Sequence, residues 1–398
     1  MLAVQQLLLI VKGDRVSDRP ASVGALLRAT PPDRLPDVFA EHLRTRYDAD
    51  DVEVLLCDLS LSMLRPVLDP EGPPGGPLEQ RCFGSQQAVV EPRPDGGTRL
   101  VLPLTVWGDR LGVVRVETRL EPGRELTADL SAFTGELAMA VRTADRDTDR
   151  YHQVRRKQRL TMAAELQWDL LPGRSLDGER FRLAGALEPA YAVYGDHYDW
   201  AVTGDRLTLT VLNGHGDGLE ATLLTTVAVN AMRNARRSGA NIVEQAELAS
   251  DAVYSRHGGN AHVATLLLEF DLSDGTVEAV DAGSPRAMIA AKGDVRPVNL
   301  EQQLPLGMFG DTRYEIQKFQ LEPGDRLLVV SDGVHAAAPG GRAEYGSSSL
   351  LTALRRTRLQ PPSEAVGTVL RGLRDYHAGI DPEDDAVIVC LDWLDQPA

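Results

Sequence analysis

The chain has 398 residues, enough for two or three domains that each bury a core, and its 43% apolar and 25% charged content is that of an ordinary soluble globular protein. Fifty-eight acidic residues against 42 basic ones leave a net charge of −16, a field that repels phosphate backbones and argues against nucleic-acid binding. No apolar run approaches the roughly 18 residues a membrane-spanning helix needs.

The opening stretch, MLAVQQLLLIVKGDR, is a short apolar patch with no basic segment before it, so no signal peptide is expected. Cys57, Cys82 and Cys390 are scattered without metal-ligand spacing; Cys57 and Cys390 sit inside apolar runs and read as core thiols, which points to a reducing compartment. The chain therefore reads as cytoplasmic. Residues 1–125 have the pattern of a small α/β domain. Leu35–Tyr47 carries Val38, Phe39 and Leu43 on one helical face, and VEVLLC, LSMLRPV, LVLPLTVW and LGVVRVETR read as strands. Gly108-Asp109 reads as the hairpin turn between the last two, and PEGPPGGPLE as loop. Helix, strands, hairpin and helix in that order resemble the GAF family of sensory domains.

Residues 126–172 come next. From Leu126 to Leu171 only Gly135 interrupts a helical pattern, and Leu126, Leu130, Phe133, Leu137 and Val141 form a stripe at heptad-like spacing. Apolar residues return at Leu160, Ala163, Ala164, Leu166, Leu170 and Leu171 before Pro172-Gly173 ends the run. A single helix over this span, at about 1.5 Å per residue, would reach about 65 Å. Two readings stand: a helical spacer, or a coiled coil that makes a homodimer and transmits a signal between domains.

Residues 173–398 form the third region. FRLAGAL, RLTLTVL, HVATLLLEF, TVEAVDAG, AMIAAK, RLLVVSDG and AVIVCLDW read as strands, with helical patterns at 217–238, 241–256, 347–356 and 363–376. Strand pairs followed by helix pairs favour an α+β sandwich over a regular parallel sheet. Four acidic or amide motifs sit at strand edges: GDHYD with Asp196 and Asp199, LNGHG with Asn213, VVSDG with Asp332, and EDD with Asp384 and Asp385. A carboxylate at a strand end projects from a rigid base. Hard cations such as Mg²⁺ and Mn²⁺ take oxygen ligands of this kind, and a pair of them can activate water and neutralise a phosphoryl group. Any one of these motifs alone reads more simply as a turn or a solvated strand end. Four in succession point to a site.

Leu166-Gln167 with Leu170-Leu171-Pro172, then GDHYD, GHGDGLEA, VAT, AGSP, PLG, LEPGDRLLVVSDG and EDDAVIV, resemble in order the SpoIIE-like and RsbU-like phosphatases of the PPM-type group of metal-dependent protein serine/threonine phosphatases. The resemblance spans residues 160–395. It implies two packed antiparallel sheets flanked by helices, and removal of phosphate from serine or threonine by metal-bound water on a small anti-anti-sigma-like regulator. Two Mn²⁺ or Mg²⁺ ions are implied. Carried over, Asp196 corresponds to the first metal-ligand aspartate, Asn213 falls where the family has a bridging aspartate, Gly214 would offer its carbonyl, and Asp332 and Asp384 would complete the set. His215, Asp199 and Asp385 would stand behind these ligands, and Leu166, Gln167, Leu170 and Leu171 would belong to a regulatory switch helix.

This chain departs from the family pattern at Asn213, at Ser284 and His335 (where histidine and glutamate are usual), and at Val387 in place of threonine. An amide is neutral and bridges two dications poorly. Two functional expectations follow: a phosphatase controlled by an N-terminal sensor, or a catalytically impaired pseudophosphatase that binds a partner.

Overall fold

The computed structural model describes residues 22–395, except 60, 62, 121–122, 157–158 and 190–192. The apolar patch at the start of the sequence lies outside the described residues. The chain divides into two compact units: Leu64–Val106, Leu111–Arg155 and the residues up to Leu56 form the first, and Cys57–Met63, Trp107–Arg110 and everything from Arg156 onward form the second.

The first unit is built on strands β1 (Ala49–Cys57), β2 (Leu64–Pro66), β3 (Val89–Pro92), β4 (Thr98–Val106) and β5 (Asp109–Thr118), in the spatial order β2-β1-β5-β4-β3. Strand alternation sends Val52, Val54, Leu56, Leu100, Leu102, Leu104, Val114 and Val116 to one face. There they bury the apolar sides of α1 (Val23–Arg28), α2 (Leu35–Tyr47) and α4 (Arg124–Ala144). Trp107 and Gly108, both with positive φ, make the hairpin turn; two left-handed residues in succession match the twist of the strands they join. Helix α3 (Pro77–Ser85) and β3 lie in stretches expected to be loop or left unassigned. The unit is α/β.

A single helix over residues 126–171 is not formed. The span holds α4, α5 (Arg150–Arg155) and α6 (Met162–Leu170), and the described residues between them, 145–149, 156 and 159–161, are not helical. The stripe on α4 has a local use: Leu130, Leu137 and Val141 are at most 1% exposed in the core of the first unit. Asp145, at the C-cap of α4, accepts from Arg155 at 2.9 Å, which folds α5 back toward the end of α4. The charged middle of the segment therefore makes turns, although no proline or glycine marks them.

The second unit is a sandwich. One sheet is ordered β14-β11-β10-β9-β8 and the other β13-β12-β15-β16-β7-β6. The first comprises β8 (His197–Thr203), β9 (Arg206–Gly214), β10 (Val263–Asp271), β11 (Thr276–Ala282) and β14 (Gln317–Gln320). The second comprises β6 (Ser175–Asp177), β7 (Phe181–Glu188), β12 (Arg286–Ala291), β13 (Asp294–Pro297), β15 (Arg326–Val330) and β16 (Ala386–Trp393). Leu209, Val211, Leu266 and Leu268 from one sheet meet Leu187, Leu327, Val329, Val387 and Val389 from the other. Outside, α7 (Gly218–Arg237) and α8 (Ile242–His257) cover the first sheet, while α10 (Tyr345–Arg356) and α11 (Pro362–His377) cover the second. The short α9 (Asp332–His335) follows β15. This layered α+β arrangement brings the ends of β8, β9, β15 and β16 to one rim of the sandwich.

Candidate metal centre

Each acidic motif is positioned by a ladder. Asp196 immediately precedes β8, whose His197 pairs with Leu212, so Asp196 stands beside Asn213 at the end of β9. On the other sheet, Val330 pairs with Ile388. Beyond that pair, Ser331 accepts from Val387 N at 2.9 Å through its hydroxyl, and its own N–H donates to Val387 O at 3.1 Å. Asp332 and the Asp384-Asp385 pair are thereby held at adjacent chain ends. Gly333 is required by this closeness, because a Cβ there would lie 1.9 Å from Asp385 O.

One oxygen from each of Asp196, Asp332 and Asp384 falls within 4.8 Å of the others, the only such group of histidine, cysteine and acidic side chains among the described residues. Asp196 is 1% exposed, and its Oδ2 is buried with no hydrogen-bond partner. Burial, then repulsion from Asp384 and Asp332, pushes its carboxyl well above the usual carboxylate range. Burial and the Asp332 charge push Asp384 up to about 7. Three converging carboxyl groups, Asp196 buried and Asp332 and Asp384 half-buried, with an unsatisfied oxygen on Asp196 and no cationic side chain bonded to them, have the hard-oxygen character that suits Mg²⁺ or Mn²⁺.

Asn213 reaches the group through Ser284. Its Nδ2 donates to Ser284 Oγ, which donates to Asp332 Oδ2 at 3.2 Å, and Asn213 Oδ1 is left buried and unpartnered. His335 Nε2 donates to Ser284 O at 3.1 Å, and burial holds that imidazole below its ordinary pKa, hence neutral. Gly214 has no room for a side chain: a Cβ would come within 2.8 Å of Thr225 Oγ1 and 2.9 Å of Tyr194 O. Thr225 in turn donates to Gly195 O at 2.6 Å, tying α7 to the Asp196 loop, a contact to which no sequence motif pointed.

The other expected residues have different uses. Asp385 is fully buried with its Oδ2 accepting from Tyr194 N (2.8 Å), Gly195 N (3.0 Å) and Gln167 Nε2 (2.8 Å). Gln167 Nε2 also donates to Asp196 O at 2.8 Å, so α6 bonds directly to the loop that carries the site. Asp199 lies away from the group; Arg233 (2.7 Å) and Arg236 (3.2 Å) pair with it and hold its carboxyl below the usual range despite burial. Arg233 also donates to Leu170 O at 2.7 Å, fixing the end of α6. Leu170 is half-buried against the core under α7 and α8, Leu171 against the core between the sheets, and Leu166 is half-buried on α6. His215 is exposed and stacks on His262 with ring centroids 4.7 Å apart.

The family description "Stage II sporulation protein E (SpoIIE)" matches residues 203–394. The chain carries a PPM-type serine/threonine phosphatase domain of the SpoIIE family. The SpoIIE match contains Asn213, Asp332 and Asp384; Asp196 precedes it and enters through the β8–β9 ladder. It does not reach the first unit, whose α/β type is unidentified. The curated Protein IcfG of Synechocystis sp. is 22% identical over 260 residues, covering 58% of this chain and 41% of that protein. The chain thus spans about two fifths of that relative's length. Among solved structures, the SiaA-PP2C domain of Pseudomonas aeruginosa is similar at 20% identity and a TM-score of 0.50, covering 58% of this chain and 94% of that one. The RsbU and RsbW domains of Rv1364c from Mycobacterium tuberculosis are similar at 22% identity and a TM-score of 0.49, covering 55% and 63% respectively. At 20% identity the likeness to the SiaA-PP2C domain is one of fold alone.

Proposed function

We propose that the SpoIIE domain of this chain is a Mg²⁺- or Mn²⁺-dependent phosphatase acting on phosphoserine or phosphothreonine of a regulatory protein, with the N-terminal unit controlling it. The observation that carries this reading is the convergence of Asp196, Asp332 and Asp384 around a buried, unpartnered carboxylate oxygen. Asp196, Asp332 and Asp384 would hold the cation, with Asn213 Oδ1 and the Gly214 carbonyl as neutral oxygens beside them. A divalent ion bound there supplies electrophilic stabilisation of the phosphoryl group and lowers the pKa of coordinated water.

The chain's own groups prepare that site. Ser284 holds one oxygen of Asp332, Gln167 and the 194–195 amides hold Asp385, and burial keeps bulk water from the Asp196 side. The N–H groups that open α7 just beyond the His215-Gly216 turn favour an anion, as a substrate phosphate requires. The proposed substrate is a small anti-anti-sigma-like phosphoprotein, which the family resemblance supports. Control by the first unit, acting through α6 and as a homodimer, belongs to the same proposal; the bond from Gln167 to Asp196 O supports α6 as its route.

A second reading has its own observation. Asn213 removes a charge that the family pattern supplies, and its amide is committed to Ser284, as befits a domain that binds a phosphoprotein without turning it over. Phosphopeptide hydrolysis with Mn²⁺ by the natural chain and by Asn213→Asp separates the two. Turnover by the natural chain, lost in Asp332→Asn, supports the enzyme. An inactive natural chain rescued by Asn213→Asp supports the binding module.

A further inference from the structure

The acids near the rim are more numerous than the acids available to a cation. Asp385 has its Oδ2 saturated by three N–H donors, and Asp199 is neutralised by two arginines. Three carboxylates remain. Two dications about 3.5–4 Å apart repel each other with four times the energy of two unit charges at that distance, and a bridging anionic ligand is what offsets this.

Asn213 cannot be that ligand, and the hydrogen bonds show why. Ser284 Oγ has one proton, and it goes to Asp332 Oδ2. The atom of Asn213 that faces Ser284 Oγ is therefore a donor, the NH₂ group, and its partial positive charge lies on the Asp332 side of the pocket. The relay from Asn213 through Ser284 sets a hydroxyl donor against Asp332 Oδ2, so that oxygen already has a hydrogen-bond partner. The amide's other end, Oδ1, is buried and unpartnered, and Asp196 Oδ2 is too. A neutral oxygen and an unsatisfied carboxylate oxygen together can complete the shell of one ion.

We infer that this chain binds a single divalent cation, held by Asp196, Asp332 and Asp384, and that the Asn213–Ser284 relay takes the place of a second one. The inference rests on the metal-dependent reading above and deepens it. The test counts metal. The full chain is stripped with chelator, loaded with Mn²⁺ and passed through a desalting column, and bound manganese is measured by elemental analysis, with electron paramagnetic resonance reporting whether bound ions are exchange-coupled. One uncoupled ion per natural chain, rising to two coupled ions in Asn213→Asp, is the expected result. Two coupled ions in the natural chain overturn the inference and leave metal dependence standing. No bound manganese overturns both. One ion in both proteins overturns the role given to Asn213. The natural chain's stoichiometry decides the main point even where the variant fails to fold.

Discussion

At the scale of single residues, neighbours in sequence have opposite uses. Asp384 faces two other carboxylates, while Asp385 points into a cage of amide donors. The sequence shows that acids cluster before β16, but which one faces the pocket depends on strand alternation and on loop 194–195, which no local pattern reveals. The Ser284 relay is likewise invisible until β9 and β12 come together. Asp384→Asn should raise the melting temperature of the metal-free protein at pH 8, because it removes an acid that burial and the Asp332 charge disfavour in its ionised form, and should abolish the response to Mn²⁺; differential scanning fluorimetry with and without the ion checks both.

Asp281 offers a test away from the pocket. Burial raises its pKa to about 6, with only the Gly283 N–H in opposition. A folded-state pKa above the unfolded one means the charged form destabilises the fold, with the penalty growing as pH rises from about 4 and complete above about 6. Asp281→Asn keeps the acceptor for Gly283 and removes the charge. It should stabilise the protein at pH 8 by about 1 kcal/mol after allowance for partial solvent exposure, with the gain vanishing near pH 4 in urea titrations.

At the scale of elements, long periodic strands and helices were legible because burial on one face leaves a repeating trace. β8 was not, since HYDWAVT interleaves charge, histidine and aromatic rings and reads as a motif before it reads as a strand. The broken 126–171 span was misread because helix-forming charged residues run through turns that tertiary contacts impose. β16 is apolar toward both layers, with Val387, Val389 and Leu391 in the inter-sheet core and Ile388 and Cys390 under α11. A one-residue slip would therefore cost little in apolar burial. Polar pins at its two ends fix the alignment: caged Asp385 before it, and Asp392 bonded to Arg326 Nε at 2.6 Å near its end.

Gln167 connects one of those pins to α6. Gln167→Leu removes one of the donors to Asp385 Oδ2, and a lost bond to a buried charge is worth about 1.5–3 kcal/mol. The variant should unfold at lower urea and bind Mn²⁺ more weakly, as calorimetry would record. Restoring an amide with Gln167→Asn, one methylene shorter, should not recover either property, because both bonds run from one Nε2 atom.

At the scale of the molecule, no helix of the described residues is long and apolar enough to cross a membrane, and the two units have separate cores. Saturating Mn²⁺ at about one hundred times its dissociation constant should stabilise the second unit by about 2.7 kcal/mol, reversibly on chelation. The pocket takes Asp196 from one sheet and Asp332 and Asp384 from the other. A cation there would be a rivet between the two layers at the rim. Starved of manganese or magnesium, the domain should open at that edge and be cut sooner by proteases, so its lifetime in a cell would follow the supply of the ion as closely as its chemistry does.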